Sequence, residues 1–227
     1  MKRNPASLAV WIGVAMLALP GLPAAHADDW PGPQVAEVFS HDRNCFVRVI
    51  PGDNLAATYG FAGAKAGQNA TAEFYRRAPD RSYRLVAEAA LQNPIAPTSF
   101  FVSNRCQLAT VDNWHNVGYG KVIALYDAAG NLVRAYELAD LFSAPEVNEF
   151  SRSMSSVYWH DGPAYVNTDD QTLLVSVRAK EGATLSFAFE TGRFKYCEYE
   201  DAEHVAGYRC RTAGEPRQWL PHASMPF

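Results

Sequence analysis

The residues best suited to chemistry lie in one segment, Thr110 to Lys121, which reads TVDNWHNVGYGK. Asp112 and His115 are three residues apart, and a carboxylate at that spacing could orient an imidazole as a general base. The chain has no Gly-x-Ser-x-Gly motif to supply a nucleophile beside them. A hydrolase that uses Asp112 and His115 is therefore the alternative hypothesis, and we assign no catalytic residue from the sequence.

The same segment has the composition of a recognition surface. A connection between two strands usually needs only about two to five residues, most of them turn formers. Here it combines aromatic, charged and amide side chains, a mixture typical of loops that bind a ligand. The predicted binding residues are Asp112, Asn113, Trp114, His115 and Tyr119. A structural role is the competing interpretation, in which the polar residues cap the loop and the rings pack between neighbouring units.

Two further polar pairs, His160-Asp161 and Asp169-Asp170, lie in the last third of the chain. If that part of the fold stacks on the segment described above, His115, His160 and an aspartate would make a plausible metal site. The simpler interpretation is that the aspartates are tips of polar turns. The chain has no Asp-x-Asp-x-Asp-Gly calcium loop. We predict no metal ligand and no cofactor.

The N-terminus has the pattern of a cleavable signal peptide. Two basic residues open the chain, an uncharged apolar run extends from Leu8 to Leu19, and Ala25-His26-Ala27 places small residues where a signal peptidase recognises them. The apolar run is shorter than the roughly 20 residues that a membrane-spanning helix requires. We therefore predict a signal peptide at residues 1–27, cut after Ala27, and a periplasmic or secreted protein without a membrane span.

The mature chain is predicted to be acidic. Without its first 27 residues it keeps 18 of the 20 basic residues and all 24 acidic residues, a net charge of −6. Nucleic acid and anionic lipid both bind basic surfaces, so this charge argues against either as a partner. The predicted partner is a protein or a small-molecule ligand of unknown identity.

All four cysteines, Cys45, Cys106, Cys197 and Cys210, lie in the mature part of the chain. An even number in an exported protein favours two disulfides over metal ligation, and no Cys-x-x-Cys motif occurs. Three pairings are compatible with four cysteines. Position favours Cys45 with Cys106, which occupy matching places in two repeated units, and Cys197 with Cys210, which are close in sequence.

Strand-like segments recur along the chain in one layout. Each round has a strand, a polar turn, a strand, a long loop and a hairpin, and the rounds cover roughly residues 34–92, 97–142 and 155–200, followed by a tail at 201–227. Four antiparallel strands in a unit of about 50 residues is the layout of a propeller blade. We predict a single all-β domain over residues 28–227, with three blade-like units in an open propeller-like or curved sheet stack. A β-sandwich or barrel is the alternative, because any all-β chain of this length has strands at similar spacing.

The individual strands follow from the alternation of apolar side chains and from the turn residues between them. One short helix is predicted to start at Ser143, because Ser143-Ala144-Pro145-Glu146 fits a capping box with proline in the first turn. The predicted strands are 35–39, 45–50, 72–76, 83–91, 99–103, 106–111, 122–126, 132–138, 156–159, 164–166, 173–177, 185–189 and 194–199.

Three units are fewer than the roughly four to eight that close a propeller. A stack of three would leave strand edges exposed, and natural proteins cover or blunt such edges. The tail at 201–227 is a candidate cover for one edge. Open sheet edges would also allow two chains to associate, so oligomerisation is a further prediction about partners.

The central part of the chain resembles a group of small exported bacterial proteins. The shared pattern is a Pro-x-x-Pro region at 93–97, a strand and turn, Thr-x-Asp-Asn-Trp-His-x-x-Gly-Tyr-Gly, and a Val-Ile-x-x-Tyr-Asp hairpin. It covers roughly residues 34–177 and is clearest over 93–138. The resemblance implies export and propeller-like β repeats, but no known activity, substrate or cofactor. This chain departs from the pattern at Asn104-Arg105-Cys106, where an Asp-Gly type of turn would be ordinary, and the departure suits a disulfide particular to some members.

Taken together, these patterns favour a binding or scaffolding module of the bacterial cell envelope over an enzyme. The supporting features are the signal peptide, the repeated hairpins, the paired cysteines and an aromatic loop without a catalytic set. The alternative is a periplasmic hydrolase built on Asp112 and His115.

Overall fold

The computed structural model describes residues 31–178, 182–202, 205–212 and 218–221. Within them the protein is all-β, with four antiparallel sheets, none of which closes on itself, and two short α-helices. The predicted all-β stack is confirmed. The predicted signal peptide lies outside the described residues, and cleavage after Ala27 stays a prediction. Neither of the described α-helices is long and apolar enough to cross a membrane.

Three of the sheets are meanders in which consecutive strands pair side by side. Sheet 1 contains β1 (Ala36–Phe39), β2 (Cys45–Ile50), β3 (Thr71–Arg77) and β4 (Tyr83–Ala90). Sheet 2 contains β5 (Pro97–Val102), β6 (Leu108–Asn113), β7 (Ile123–Tyr126) and β8 (Leu132–Tyr136). It is followed by α1 (Leu138–Leu141), α2 (Ala144–Glu149) and a ribbon of β9 (Ser151–Arg152) and β10 (Val157–Tyr158). Sheet 3 contains β11 (Tyr165–Val166), β12 (Thr172–Ser176), β13 (Thr184–Ala188), β14 (Phe194–Ala202), β15 (Val205–Thr212) and β16 (Gln218–Pro221).

Sheet 2 lies between sheets 1 and 3. Both of its faces carry apolar side chains, so each face can pack against a neighbouring sheet. Alternate residues of its central strands belong to different cores: Leu108 and Tyr126 pack with residues of sheet 1, whereas Val111 and Leu125 pack with residues of sheet 3. Every residue of β6 and β7 is buried, as expected for strands covered on both faces. Full burial of each large apolar side chain contributes about 1.5–3 kcal/mol to stability. The segment joining β6 to β7 is therefore anchored in the best-buried part of the protein.

The equivalent turns of the three sheets are linked in series. Each turn joins the first two strands of its sheet. The backbone N–H of Asp42 in sheet 1 donates to Oδ1 of Asn104 in sheet 2, at 2.8 Å. The backbone N–H of Asn104 in turn donates to Oδ1 of Asp170 in sheet 3, at 2.7 Å. The predicted assignment of Asp169 and Asp170 to a polar turn is thus confirmed, and Asp170 helps to join the sheets.

Both predicted disulfides are present. Cys45 at the start of β2 pairs with Cys106 in the turn before β6, with the Cα atoms 5.8 Å apart. Cys197 and Cys210 lie directly opposite each other on β14 and β15, with the Cα atoms 4.1 Å apart. The first bridge joins two sheets and the second joins two strands of one sheet. Two disulfides are typical of proteins in an oxidising compartment.

The structure corrects several predicted boundaries. Cys106 does not begin a strand, because its φ of 65° belongs to a turn, and β6 starts at Leu108. The strand predicted over 132–138 ends at Tyr136, because Glu137 and Asp140 form a capping box that starts an additional helix. The helix predicted at Ser143 is present, with the Ser143–Glu146 capping box.

Sheet 3 is larger than the predicted four-stranded unit at 155–200. Residues of the predicted tail form β15 and β16, which extend the sheet beyond β14. The pairing places Cys197 opposite Cys210, so the disulfide and the strand register agree. The tail thus covers the edge of β14 by continuing the sheet.

Candidate functional site

The segment 110–121, here called the motif loop, leaves β6 through a series of tight turns. Asp112 and His115 have positive φ angles of 53° and 70°, and Gly118 has a φ of 78°. Position 118 requires glycine, because a Cβ there would collide with the carbonyl oxygen and the side chain of Val157 on β10. The motif loop therefore lies directly against the ribbon that precedes sheet 3.

Asp112 is the centre of a buried hydrogen-bond network that supports this loop. Its side chain is completely buried. Oδ1 accepts hydrogen bonds from the backbone N–H of Gly118 and from Nε1 of Trp159, both at 2.9 Å. Oδ2 lies 2.9 Å from Nε2 of His160. A buried carboxylate is tolerated when it is hydrogen-bonded and faces a positive charge, and Asp112 meets both conditions.

His160 supplies that positive charge. Its side chain is 21% exposed, and Nδ1 lies 3.3 Å from the carbonyl oxygen of Gly162 while Nε2 faces Asp112. Only a doubly protonated imidazolium can donate from both ring nitrogens. Burial alone would lower the pKa of His160, but the hydrogen bond and charge of Asp112, together with the Gly162 carbonyl, outweigh burial and raise the pKa above its ordinary value of 6.5. When His160 is protonated, the network is a buried ion pair whose charged groups are hydrogen-bonded.

Raising the pH should weaken the fold through His160. Because its pKa is higher in the folded protein than in the unfolded chain, its stabilising contribution is fully present below about pH 6.5 and is lost as the pH rises through the folded pKa. The free energies of unfolding of the wild type and His160→Gln, measured in urea from about pH 5 to about pH 9, should therefore differ most at the acidic end. The exposed Asp161–Arg178 ion pair beside His160 is present in both proteins and cancels from the comparison. A difference that grows as the pH rises would contradict this assignment.

Asn113 closes the motif loop on itself. Its Nδ2 donates to the backbone carbonyl oxygens of Tyr119 and Lys121, at 2.7 and 3.1 Å. Its Oδ1 accepts from Nδ2 of Asn93 at 2.9 Å, and Asn93, which is fully buried, also donates to the backbone carbonyl of Asp112. Asp112 and Asn113 therefore position the loop through bonds made within the protein.

Trp114 and His115 lie at the turn of the motif loop, and both side chains are half-buried. The backbone N–H of Trp114 donates to the carbonyl of Ala96 at 2.9 Å. The His115 ring centroid lies 5.9 Å from that of Phe61, and burial lowers the pKa of His115. Both oxygens of Asp112 are engaged by the partners described above, so Asp112 is not the group that orients His115.

An open cleft lies between the motif loop and the long loop of sheet 1, residues 51–70, and we call it the tyrosine cleft. Its volume is about 570 Å³. Tyr59 from the long loop and Tyr119 from the motif loop form part of its wall, with their rings stacked at 4.4 Å between centroids and 4° between planes. Asn116 fastens the two loops together, because its Nδ2 donates to the backbone carbonyl of Tyr59 at 3.1 Å. Of the five predicted binding residues, Asn113 and Tyr119 line this cleft.

The remaining polar lining of the tyrosine cleft is mostly neutral. Lys121 and Glu137 form an ion pair of 2.8 Å between Nζ and Oε1. Nδ2 of Asn54 donates to Oδ1 of Asn69 at 2.7 Å. The side-chain amide of Gln92 also lines the cleft and makes no hydrogen bond with any other described residue. The cleft therefore offers amide and phenol groups and a self-compensating pair of charges.

A second cleft adjoins the first on the other side of Tyr119. Its volume is about 470 Å³, and it shares Tyr119, Gly120 and Glu137 with the tyrosine cleft. Its other wall is formed largely by the two helices and includes the apolar side chains of Leu138, Phe142 and Val147. Tyr119 therefore stands between two connected depressions.

The described residues contain no group of three His, Cys, Asp or Glu side chains that could hold a metal ion. His160 does approach the motif loop, as expected if the third unit stacks on the second. It pairs there with Asp112, while His115 lies beside Phe61.

Several residues that shape the site were not predicted. Tyr59 reaches the motif loop from a loop about 60 residues earlier, and nothing in the sequence around it indicates that contact. The pattern around Trp159 predicts only a strand, and its indole N–H, which is buried in the structure, donates to Asp112. Asn93 is the first residue of the Pro-x-x-Pro region at 93–97, and that position is the one indication in the sequence that Asn93 contributes to the site.

No model of a known protein family matches the chain, and no curated protein shows significant similarity to it. The chemistry of the tyrosine cleft and of its supports is therefore the basis for assigning a function.

Proposed function

We propose that the protein is an exported module that binds a ligand at the bacterial cell envelope, and that the tyrosine cleft is its binding site. Export is supported by the N-terminal sequence pattern and by two disulfides, which suit an oxidising compartment. The acidic mature chain makes nucleic acid an unfavourable partner.

The observation that carries the proposal is the tyrosine cleft itself. Its volume of about 570 Å³ falls within the range of about 300–1,000 Å³ that is usual for small-molecule sites. Two loops from different sheets form it, and both are fixed, one by Asn113 and the other by the Asn116 bond to Tyr59. A pre-formed cleft on rigid supports reduces the ordering cost of binding.

The buried network is better suited to support than to catalysis. Both ring nitrogens of His160 and both oxygens of Asp112 are already engaged in hydrogen bonds within the protein. A general base needs a free nitrogen within reach of its substrate. Asp112 is therefore not available to orient His115 as the hydrolase hypothesis requires, and binding at the neighbouring cleft is favoured over hydrolysis by Asp112 and His115.

Replacing Tyr119 by alanine should weaken binding to the cell envelope by about tenfold, the equivalent of about 1.4 kcal/mol for one aromatic contact. The measurement is co-sedimentation of the mature protein, residues 28–227, with an isolated envelope fraction from the bacterium that produces it. Tyr119→Phe should bind nearly as well as the wild type, because it keeps the ring and loses only the hydroxyl.

Tyr165→Ala is the matched control. Tyr165 is an exposed tyrosine on β11, 53% exposed, and does not line the tyrosine cleft. Its replacement should leave sedimentation unchanged. Equal binding by the wild type and Tyr119→Ala, with both variants folded by circular dichroism, would refute the proposed site.

A further inference from the structure

We infer that the tyrosine cleft binds a neutral oligosaccharide. This inference rests on the proposed function, since it assumes that the cleft is a binding site and assigns the class of its ligand. Three features of the cleft support it: its aromatic surface, its free hydrogen-bonding groups and its compensated charge.

The aromatic surface suits a ring that is apolar on its faces and polar at its rim. Tyr59 is 56% exposed, and one face of its ring is covered by Tyr119, so the other face remains for a ligand. Sugar rings present C–H groups on their faces and hydroxyl groups at their edges. An aromatic ring with a polar hydroxyl complements such a molecule, because it offers an apolar face and a hydrogen-bonding tip.

The hydrogen-bonding groups of the cleft are of the kind that sugar hydroxyls require. A hydroxyl group both donates and accepts, so it pairs best with groups that do the same. Among the described residues, the hydroxyls of Tyr59 and Tyr119 and the side-chain amide of Gln92 form no hydrogen bonds within the protein. All three can therefore bond a ligand without first breaking an internal bond.

The charges of the tyrosine cleft favour a neutral ligand. Among the described residues that line it, the charged side chains are Lys121 and Glu137, which pair with each other at 2.8 Å. An anionic ligand would have to compete with Glu137 for Lys121, and a cationic ligand would have to compete with Lys121 for Glu137. A neutral polyhydroxylated ligand leaves the ion pair intact and avoids that cost.

The adjoining cleft indicates that the ligand is a chain of sugars. The two clefts share Tyr119, Gly120 and Glu137, so a molecule lying over Tyr119 would occupy both. Among the described residues that line the second cleft, the one further charged side chain is Arg152, whose Nη2 donates to the Val147 carbonyl at 2.9 Å and lies 3.4 Å from Oδ1 of Asn148. Their volumes are about 570 and 470 Å³. Each falls in the range of a complete small-molecule site, so together they accommodate several linked sugar units.

The test is calorimetric titration of the mature protein with defined oligosaccharides. Chitotetraose and maltotetraose are the neutral probes, tetragalacturonate is the acidic probe, and tetra-alanine is a peptide of similar length. We expect at least one neutral probe to bind, with affinity reduced about tenfold in Tyr119→Ala and about fivefold in Gln92→Ala. Gln171→Ala, which changes an exposed glutamine outside both clefts, is the matched control and should bind like the wild type.

Each other outcome has a defined meaning. If only tetragalacturonate or the peptide binds, and Tyr119→Ala abolishes that binding, the neutral-saccharide assignment is wrong while the proposed binding site stands. Binding of a neutral probe that is unaffected in Tyr119→Ala would place the sugar elsewhere and overturn the inference. The absence of binding by any neutral probe overturns it as well. The proposed function itself fails only if Tyr119→Ala sediments with the envelope as the wild type does.

Discussion

Replacing Cys45 and Cys106 together by alanine is expected to lower the free energy of unfolding by about 4 kcal/mol. The bridge closes a loop with a sequence separation of 61 residues, and in the chain-entropy model its removal frees the unfolded chain by that amount. It is also the disulfide that joins sheet 1 to sheet 2. Guanidinium denaturation of the two oxidised proteins, the wild type and the double variant, measures the difference.

The second disulfide provides the comparison. Cys197 and Cys210 are separated by 13 residues and join strands that already pair through backbone hydrogen bonds, so the double alanine variant should lose about 3 kcal/mol. Hydrogen exchange distinguishes the two disulfide variants better than the two losses in free energy of unfolding do. Loss of Cys45–Cys106 should speed exchange of the amides of β2 and β3, whereas loss of Cys197–Cys210 should affect β13 to β15. Faster exchange confined to sheet 3 in the Cys45/Cys106 variant would contradict the role assigned to the first bridge.

Local patterns were enough to predict most strands, because each strand carries its own alternation of side chains. Strand β2 was predicted at its observed bounds, Cys45–Ile50, where buried and less buried side chains alternate through VRVI. The same reasoning failed at Cys106 and Glu137. Cys106 lies in a turn because its φ is positive, and the residue types around it do not indicate a positive φ. At Glu137 a reciprocal capping box begins α1 where apolar side chains suggested that the strand continued.

The extension of sheet 3 was missed for a different reason. The sequence pattern places residues 205–212 in a tail, whereas they form β15. The pairing of Cys197 with Cys210, which was predicted, already implied a hairpin, because two bridged residues 13 apart can lie opposite each other on antiparallel strands. A predicted disulfide between two residues close in sequence can therefore be used to predict that the strands carrying them pair.

Only part of the arrangement around the motif loop could be predicted from the sequence. The motif loop and Tyr119 were identified from composition, since loops rarely need so many aromatic and amide residues. The partners of Asp112 were not, because Trp159 and His160 lie 47 and 48 residues further along the chain. A single sequence carries no direct indication of which distant loops meet. The hypothesis that the third unit stacks on the second was the one argument that predicted His160 near the motif loop. In the structure His160 contacts Asp112 there, instead of joining His115 in a metal site.

Replacing Asp112 by asparagine is expected to lower the free energy of unfolding by about 3 kcal/mol. Removing one member of a buried ion pair leaves the other uncompensated, which typically costs about 3–5 kcal/mol, and the partial exposure of His160 places this case at the lower end. In the place of Oδ1 the asparagine NH₂ would face two donors, the Gly118 N–H and Nε1 of Trp159, and in the place of Oδ2 it could donate to Nε2 of His160 only when that imidazole is neutral. Asparagine is the appropriate substitution, because it tolerates the positive φ of 53° at this position.

Asp161→Asn is the control, since it makes the same chemical change one residue from His160. Asp161 pairs with Arg178 at the surface, where such pairs contribute about 0–1 kcal/mol. Urea denaturation near pH 6 should therefore show a large loss for Asp112→Asn and a small one for Asp161→Asn. Equal losses would mean that Asp112 is not the centre of the network.

The same variant tests what holds the pKa of His160 high. If the carboxylate of Asp112 is the cause, NMR titration of the His160 ring should show a lower pKa in Asp112→Asn and little change in Asp161→Asn. The asparagine amide has one acceptor oxygen where Asp112 has two, so the bond to the Gly118 N–H should weaken, and the motif loop with Tyr119 should loosen in Asp112→Asn. Ligand binding at the tyrosine cleft should then weaken even though Asp112 does not line it, which would show that the buried ion pair acts on function by positioning the loop.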